Sequence, residues 1–134
     1  MKEHVMKFPW IVIAALMGAS GVALGAIGAH VVAGDDTAQK YQNLAVNYQM
    51  FHIAALVAVS YILSSNGRGR TFANISGILI TAGVILFSGS LYYLGWTGES
   101  LGFNLTPAGG MCLIFGWLFL AIGGFQNWRH KSSN

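Results

Sequence analysis

The sequence predicts an all-α polytopic membrane protein: one domain folded as an up-down-up-down bundle of four transmembrane helices. Three observations predict it. The 134 residues are 54% hydrophobic and only 8% charged, where a soluble domain carries about 25% charged residues. The apolar residues fall into four runs near 10–32, 44–63, 72–94 and 105–125, each long enough to cross a hydrocarbon layer about 30 Å thick. The connections are short, which makes consecutive spans antiparallel neighbours. So few charges cannot clothe a surface in water. The lipid bilayer is the solvent and the first partner.

Span one, Trp10 to Val32, is a charge-free run introduced by Pro9 and by Trp10 at headgroup depth. At about 100° per residue, Gly18, Gly21, Gly25 and Gly28 share one stripe. Ala15, Ala19, Ala23 and Ala26 form a second stripe that runs up to His30. Small residues let membrane helices approach closely. Two small faces predict a helix gripped on two sides, hence a central position for span one. The run is longer than a signal peptide's apolar region and is read as a permanent helix.

Gly34-Asp35-Asp36-Thr37 is a polar break able to cap a new helix. Thr37 to Val46 reads as a short amphipathic approach, and span two begins with Asn47, Tyr48, Gln49 and His52 in its first two turns. Ser64 to Arg70 is a loop of turn formers with two arginines. Span three carries a small-polar stripe of Asn74, Gly77, Thr81, Ser88 and Tyr92, and 95–104 follows as a loop. Span four opens on Thr106 as expected N-cap with Pro107 in the first helical position. Its small stripe is Gly109, Cys112, Gly116 and Gly123. Cys112 is the only cysteine, so it has no intrachain disulfide partner and reads as a packed, inert thiol.

The net charge of +3 reports orientation. Four spans place both termini and the second loop on one side, with Lys2, Lys7, Arg68, Arg70, Arg129 and Lys131; the other side has Lys40 alone. The bias of Lys and Arg toward the cytoplasm predicts both termini inside a bacterial inner membrane. No basic stripe is interleaved with aromatics, so nucleic acid is not an expected partner.

This topology gathers polar side chains toward the outer leaflet: His30, Tyr48, Gln49, His52, Ser88, Ser90, Tyr92 and Thr106. Ionisable groups at membrane depth point to function by default, while hydroxyls and amides there also serve as interhelical glue. Both readings apply to this cluster. Zinc needs about four ligands, and only His30 and His52 are near. A bis-histidine haem between spans one and two is geometrically conceivable. A hydrolase built on Ser88 or Ser90 with His52 lacks a spacing that fixes its parts. The inner halves of the spans are nearly apolar, so no complete transport path is visible. The expected site is a cup open to the outside, with its cofactor or ligand unnamed.

VALGAIGAH (Val22 to His30), YQMFH (Tyr48 to His52), LFSGSLY (Leu86 to Tyr92) and TPAGG (Thr106 to Gly110) occur in this order. Together they resemble domain-of-unknown-function family 423, the YgdD-like bacterial inner-membrane proteins. The likeness runs from about Ala14 to Gly124. It implies a small four-span membrane protein, brings no catalytic residues with it, and its motifs coincide with the outer polar cluster.

The expectation is therefore a non-enzymatic integral membrane protein with an outward-facing pocket for a small molecule. The alternative is a transporter or channel-like module formed by a homo-oligomer, or a purely structural scaffold. A membrane-embedded enzyme or haem carrier comes third.

Overall fold

A computed structural model describes residues 8–133. Lys2 and Lys7, which enter the reading of orientation, lie outside the described residues. Four helices follow one another: α1 (Trp10–Val31), α2 (Asp36–Ser64), α3 (Arg70–Thr97) and α4 (Leu105–Ser132). All four are long and apolar enough to cross a membrane. At 1.5 Å per residue the three longer ones extend about 42 Å, so their ends reach through the headgroup layers.

Local chemistry sets the breaks. Asp35 caps α2, its carboxylate accepting from the Thr37 and Ala38 amides at 3.0 and 2.9 Å. With that cap in place, α2 is continuous from Asp36, so the expected amphipathic approach is simply its first turns. Gly69 and Gly98 flank α3 in the left-handed region, at φ +88° and +74°, where glycine has no steric penalty. The loop between α3 and α4 is consequently 98–104, shorter than expected. Asn104, at φ +51°, precedes α4 and makes no side-chain cap. Thr106 is not the N-cap: its hydroxyl lies 2.6 Å from that of Ser90 on α3, so a partner across the interface has taken it.

Neighbouring helices are antiparallel, as expected, but the ring does not close. Among the described residues α1 makes no contact with α4. The helices form two three-helix wedges, α1–α2–α3 and α2–α3–α4, sharing the α2–α3 pair. The expectation that span one lies centrally is corrected. Half of the apolar window of α3 is buried, against 22% of that of α1. The reason is in the second small stripe: Ala15, Ala19, Ala23 and Ala26 are all exposed. Small side chains permit close approach, and here no helix of the chain takes that face.

The first stripe does what its spacing implies. Gly18, Gly21, Gly25 and Gly28 face Ile53, Met50, Val46 and Gln42 in a steady antiparallel register. On α4, Gly109, Gly116 and Gly123 recur every seven residues and meet Phe87, Ile80 and Ala73, also seven apart on α3. A seven-residue repeat is the packing of a left-handed pair. This seam is the tighter one, because several of its contacts are backbone. A Cβ at Gly109 would lie 2.5 Å from the Phe87 nitrogen and 2.9 Å from the Gly83 oxygen. The apolar core, including Leu56, Val59, Ile80 and Leu113, lies mainly where α2, α3 and α4 meet.

Candidate functional site

The eight candidate residues do not form one cup. The structure divides them between the two wedges and leaves one apart. His30 is exposed at the end of α1. Gln49, Ser88 and Tyr92 belong to the α1–α2–α3 wedge. His52 and Tyr48 look the other way, toward α4. Ser90 and Thr106 pair across α3 and α4 near the end that carries the loop joining them. The bis-histidine arrangement is absent, since His30 and His52 lie on different sides of α2. Among the described residues no three His, Cys, Asp or Glu side chains gather where a metal could be held.

In the first wedge two glutamines act as clamps. The Gln49 amide donates from Nε2 to the Met17 carbonyl and to Ser20 Oγ, both at 2.9 Å. Its Oε1 accepts from the Tyr92 hydroxyl at 2.8 Å. Seven residues earlier, Gln42 Nε2 donates to the Leu24 carbonyl at 2.9 Å, and its Oε1 accepts from Trp96 Nε1 at 2.7 Å. Each glutamine thus ties a carbonyl of α1 to an aromatic donor on α3.

The glycines make this possible. The Met17 and Leu24 carbonyls take their in-helix bonds from the residues four further on, Gly21 and Gly28. A Cβ at those positions leans back over the preceding turn. A Cβ at Gly21 would come 3.3 Å from Gln49 Nε2, and one at Gly28 would overlap the Gln42 amide. Their absence leaves the second lone pair of each carbonyl open to a side chain. Ser88 Oγ adds a bond to the Ala45 carbonyl at 2.8 Å. At the other end of this wedge Trp10 lies against Gly77 and donates to Asn74 Oδ1 at 2.9 Å. Buried amides with both ends engaged hold helices together. This wedge also has a cleft of 580 Å³ with Ser20, Thr81 and Tyr92 among its walls, and among the described residues the buried Thr81 hydroxyl has no hydrogen-bond partner.

The second wedge is different. Between α2 and α4, over Phe87 of α3, lies a cleft of 570 Å³ whose walls include Asn47, Tyr48, Phe51, His52, Leu113 and Trp117. That volume is in the range of small-molecule sites. Aromatic rings surround the buried His52: Phe51 edge-on at 5.4 Å, Tyr48 at 5.8 Å and Trp117 at 6.0 Å between centroids. Tyr48 stacks on Phe87 at 4.4 Å. His52 Nδ1 is hydrogen-bonded to the Tyr48 carbonyl. A carbonyl only accepts, so Nδ1 carries the proton and Nε2 of the neutral ring is left as an acceptor. Among the described residues Nε2 has no partner. His52 is seventeenth of the 29 residues of α2, near the middle of the helix, and the cleft runs from that depth toward the loop between α3 and α4.

Sequence reasoning missed Gln42, Trp96, Ser20 and Trp117. The signal for the first was present: Gln42 and Gln49 are seven apart, as are Gly21 and Gly28 on the opposing helix. Trp117 had no such signal, being one more aromatic in an apolar run.

Comparison with known proteins gives a consistent family. The family described as "Protein of unknown function (DUF423)" matches residues 24–110, an interval holding all eight candidate residues. A UPF0382 membrane protein of Staphylococcus haemolyticus is 38% identical over 120 residues, covering 87% of this chain and 95% of its own. One from Haemophilus influenzae is 36% identical over 124 residues, covering 91% and 98%. The UPF0382 inner membrane protein YgdD of Escherichia coli is 31% identical over 118 residues, covering 87% and 88%. No solved structure matches the chain.

Proposed function

The chain belongs to the DUF423 family of integral membrane proteins, and from that premise we propose a non-enzymatic protein that holds a small, largely apolar molecule in the α2–α4 cleft. The molecule carries a hydrogen-bond donor for His52 Nε2. The observation that carries this reading is a histidine at membrane depth whose one nitrogen is tied to backbone and whose other is free in an aromatic-walled cavity. A polar group at that depth without a partner is costly, and a bound donor removes the cost. The setting is a bacterial inner membrane, supported by the name of the Escherichia coli relative. Both termini face the cytoplasm, supported by the excess of Lys and Arg at their end.

Solvent extraction of purified protein followed by mass spectrometry tests the proposal. Wild type should yield a species of small-molecule mass, lost from His52→Ala and from Gly110→Leu. The second variant fills the cleft without a backbone clash, because a Cβ at Gly110 meets only the Phe87 ring at 3.8 Å. Identical extracts from all three proteins overturn the reading. A channel-like homo-oligomer is the second reading, favoured by the uncovered alanine face of α1. Proteoliposomes that pass neither protons nor small solutes above empty controls would remove it.

A further inference from the structure

At the opposite end of the molecule from the outer loops, a second pocket of 330 Å³ is lined by Arg68, Gln126, Arg129, His130 and Ser133. Two guanidinium groups, an imidazole, an amide and a hydroxyl surround it, and every one can donate a hydrogen bond. Among the described residues no carboxylate lines it. Of the four acids, Asp35, Asp36 and Glu99 lie at the other end of the helices, and Glu3 falls outside the described residues.

The pocket is held in shape. Arg68 comes from the loop joining α2 to α3, and that loop is fastened to α4. Ser65 Oγ donates to Oδ1 of the buried Asn127 at 2.7 Å, Gly67 is pressed against the Asn127 side chain, and Gly69 against the Gly123 backbone. Basic residues in the last turn of α4 complement the helix dipole. That accounts for Arg129 and His130 but not for Arg68, which is brought from another element to the same pocket.

Depth identifies the source of the anion. Trp128 and Phe125, adjoining the pocket residues on α4, are both exposed with ring centroids 5.9 Å apart. The Arg129 guanidinium lies 5.9 Å from the Phe125 ring centre. Exposed aromatics at the end of a membrane helix sit among headgroups, and planar guanidinium groups match phosphate oxygens in pairs. We propose that Arg68, Arg129 and His130, with Gln126 and Ser133, form a site for the phosphate of an anionic phospholipid headgroup. This site is independent of the α2–α4 cleft.

The test is thermal unfolding of the full chain in neutral detergent, titrated with dioleoyl phosphatidylglycerol, dioleoyl phosphatidylcholine or inorganic phosphate. Phosphatidylglycerol should raise Tm saturably and phosphatidylcholine should not. Arg68→Gln or Arg129→Gln alone should weaken the apparent affinity about fivefold, and the double variant should abolish the rise. Lys131→Gln is the charge-matched control, since Lys131 turns away to the Tyr61 hydroxyl at 2.9 Å; it should keep the rise. An equal effect of the two lipids, or a rise undiminished in the double variant, overturns the proposal. Inorganic phosphate acting as strongly as phosphatidylglycerol, through the same arginines, overturns the lipid as source and leaves a soluble phosphate. If the double variant does not fold, native mass spectrometry from equimolar mixed micelles decides. Phosphatidylglycerol adducts favoured on wild type and reduced in Arg129→Gln support the site, and equal adducts overturn it.

Discussion

The two wedges share α2 and α3 yet treat their polar groups in opposite ways. In the α1–α2–α3 wedge Gln42 and Gln49 have both ends of their amides engaged, each joining three helices. In the α2–α3–α4 wedge His52 has one nitrogen engaged and the other open to a cavity. The glycine seams differ as well. Those of α1 receive side chains, Ile53, Met50, Val46 and Gln42, whereas Gly109 of α4 meets backbone. A side chain is able to swing aside, but a helix backbone has to move whole. The lesson is that one wedge is fastened by polar contacts and the other by close backbone approach, and the latter leaves an imidazole nitrogen open to an aromatic-walled cavity.

The largest effect should come from the backbone seam. Gly109→Ala places a methyl 2.5 Å from the Phe87 nitrogen, and forcing α3 and α4 apart should cost about 3 kcal/mol or more. Loss of the folded form in detergent is the expected readout, and a near-native Tm would break the contrast between seams. Next comes the double change Gln42→Leu with Gln49→Leu, which removes both clamps. Interhelical hydrogen bonds in membranes are worth about 0.6 kcal/mol each on average and up to about 1.7, so five of them should cost about 3 kcal/mol. Faster proteolysis or hydrogen exchange confined to α1 would sharpen the assignment.

Gly21→Ala should cost less, about 1 kcal/mol, because its methyl meets the Met50 sulfur at 2.6 Å and the Gln49 amide at 3.3 Å, both movable. Smallest is Gly110→Ala, next in sequence to the most sensitive position. Its methyl would make ordinary contact with the Phe87 ring, and stability should stay within about 0.5 kcal/mol. Equal losses at 109 and 110 would show that the α4 register is misplaced.

Much of this architecture was legible in the residues. Four apolar runs, the capping break at 34–37 and the glycine stripes of α1 and α4 follow from length and spacing, because those properties are local. The position of α1 was not legible: a small-residue face says that a helix can be approached, not that one comes, and the alanines stayed bare. The site was half legible. Polarity at depth selected Gln49, Tyr92 and His52 together, but residues 49 and 52 lie on different sides of α2 and serve different wedges. Thr106 looked like a cap because threonine before proline often is one, and only the interface with α3 reveals Ser90 as its partner. Gln42 and Trp96 were overlooked because they lie outside the most apolar parts of their helices, where polar residues draw no notice.

The contrast between wedges comes down to one comparison, the Tm of Gln49→Leu against that of His52→Phe. Both are measured after exhaustive detergent exchange has stripped any small molecule from the cleft. Phenylalanine keeps the ring among Tyr48, Phe51 and Trp117 and removes only the nitrogens. Gln49→Leu should lower Tm by several degrees, as a loss of about 2 kcal/mol implies for a chain of this size, while His52→Phe should leave it within about one degree. A fall in His52→Phe as large as that in Gln49→Leu would mean that the imidazole is a fastening after all, and the division between the wedges would fail.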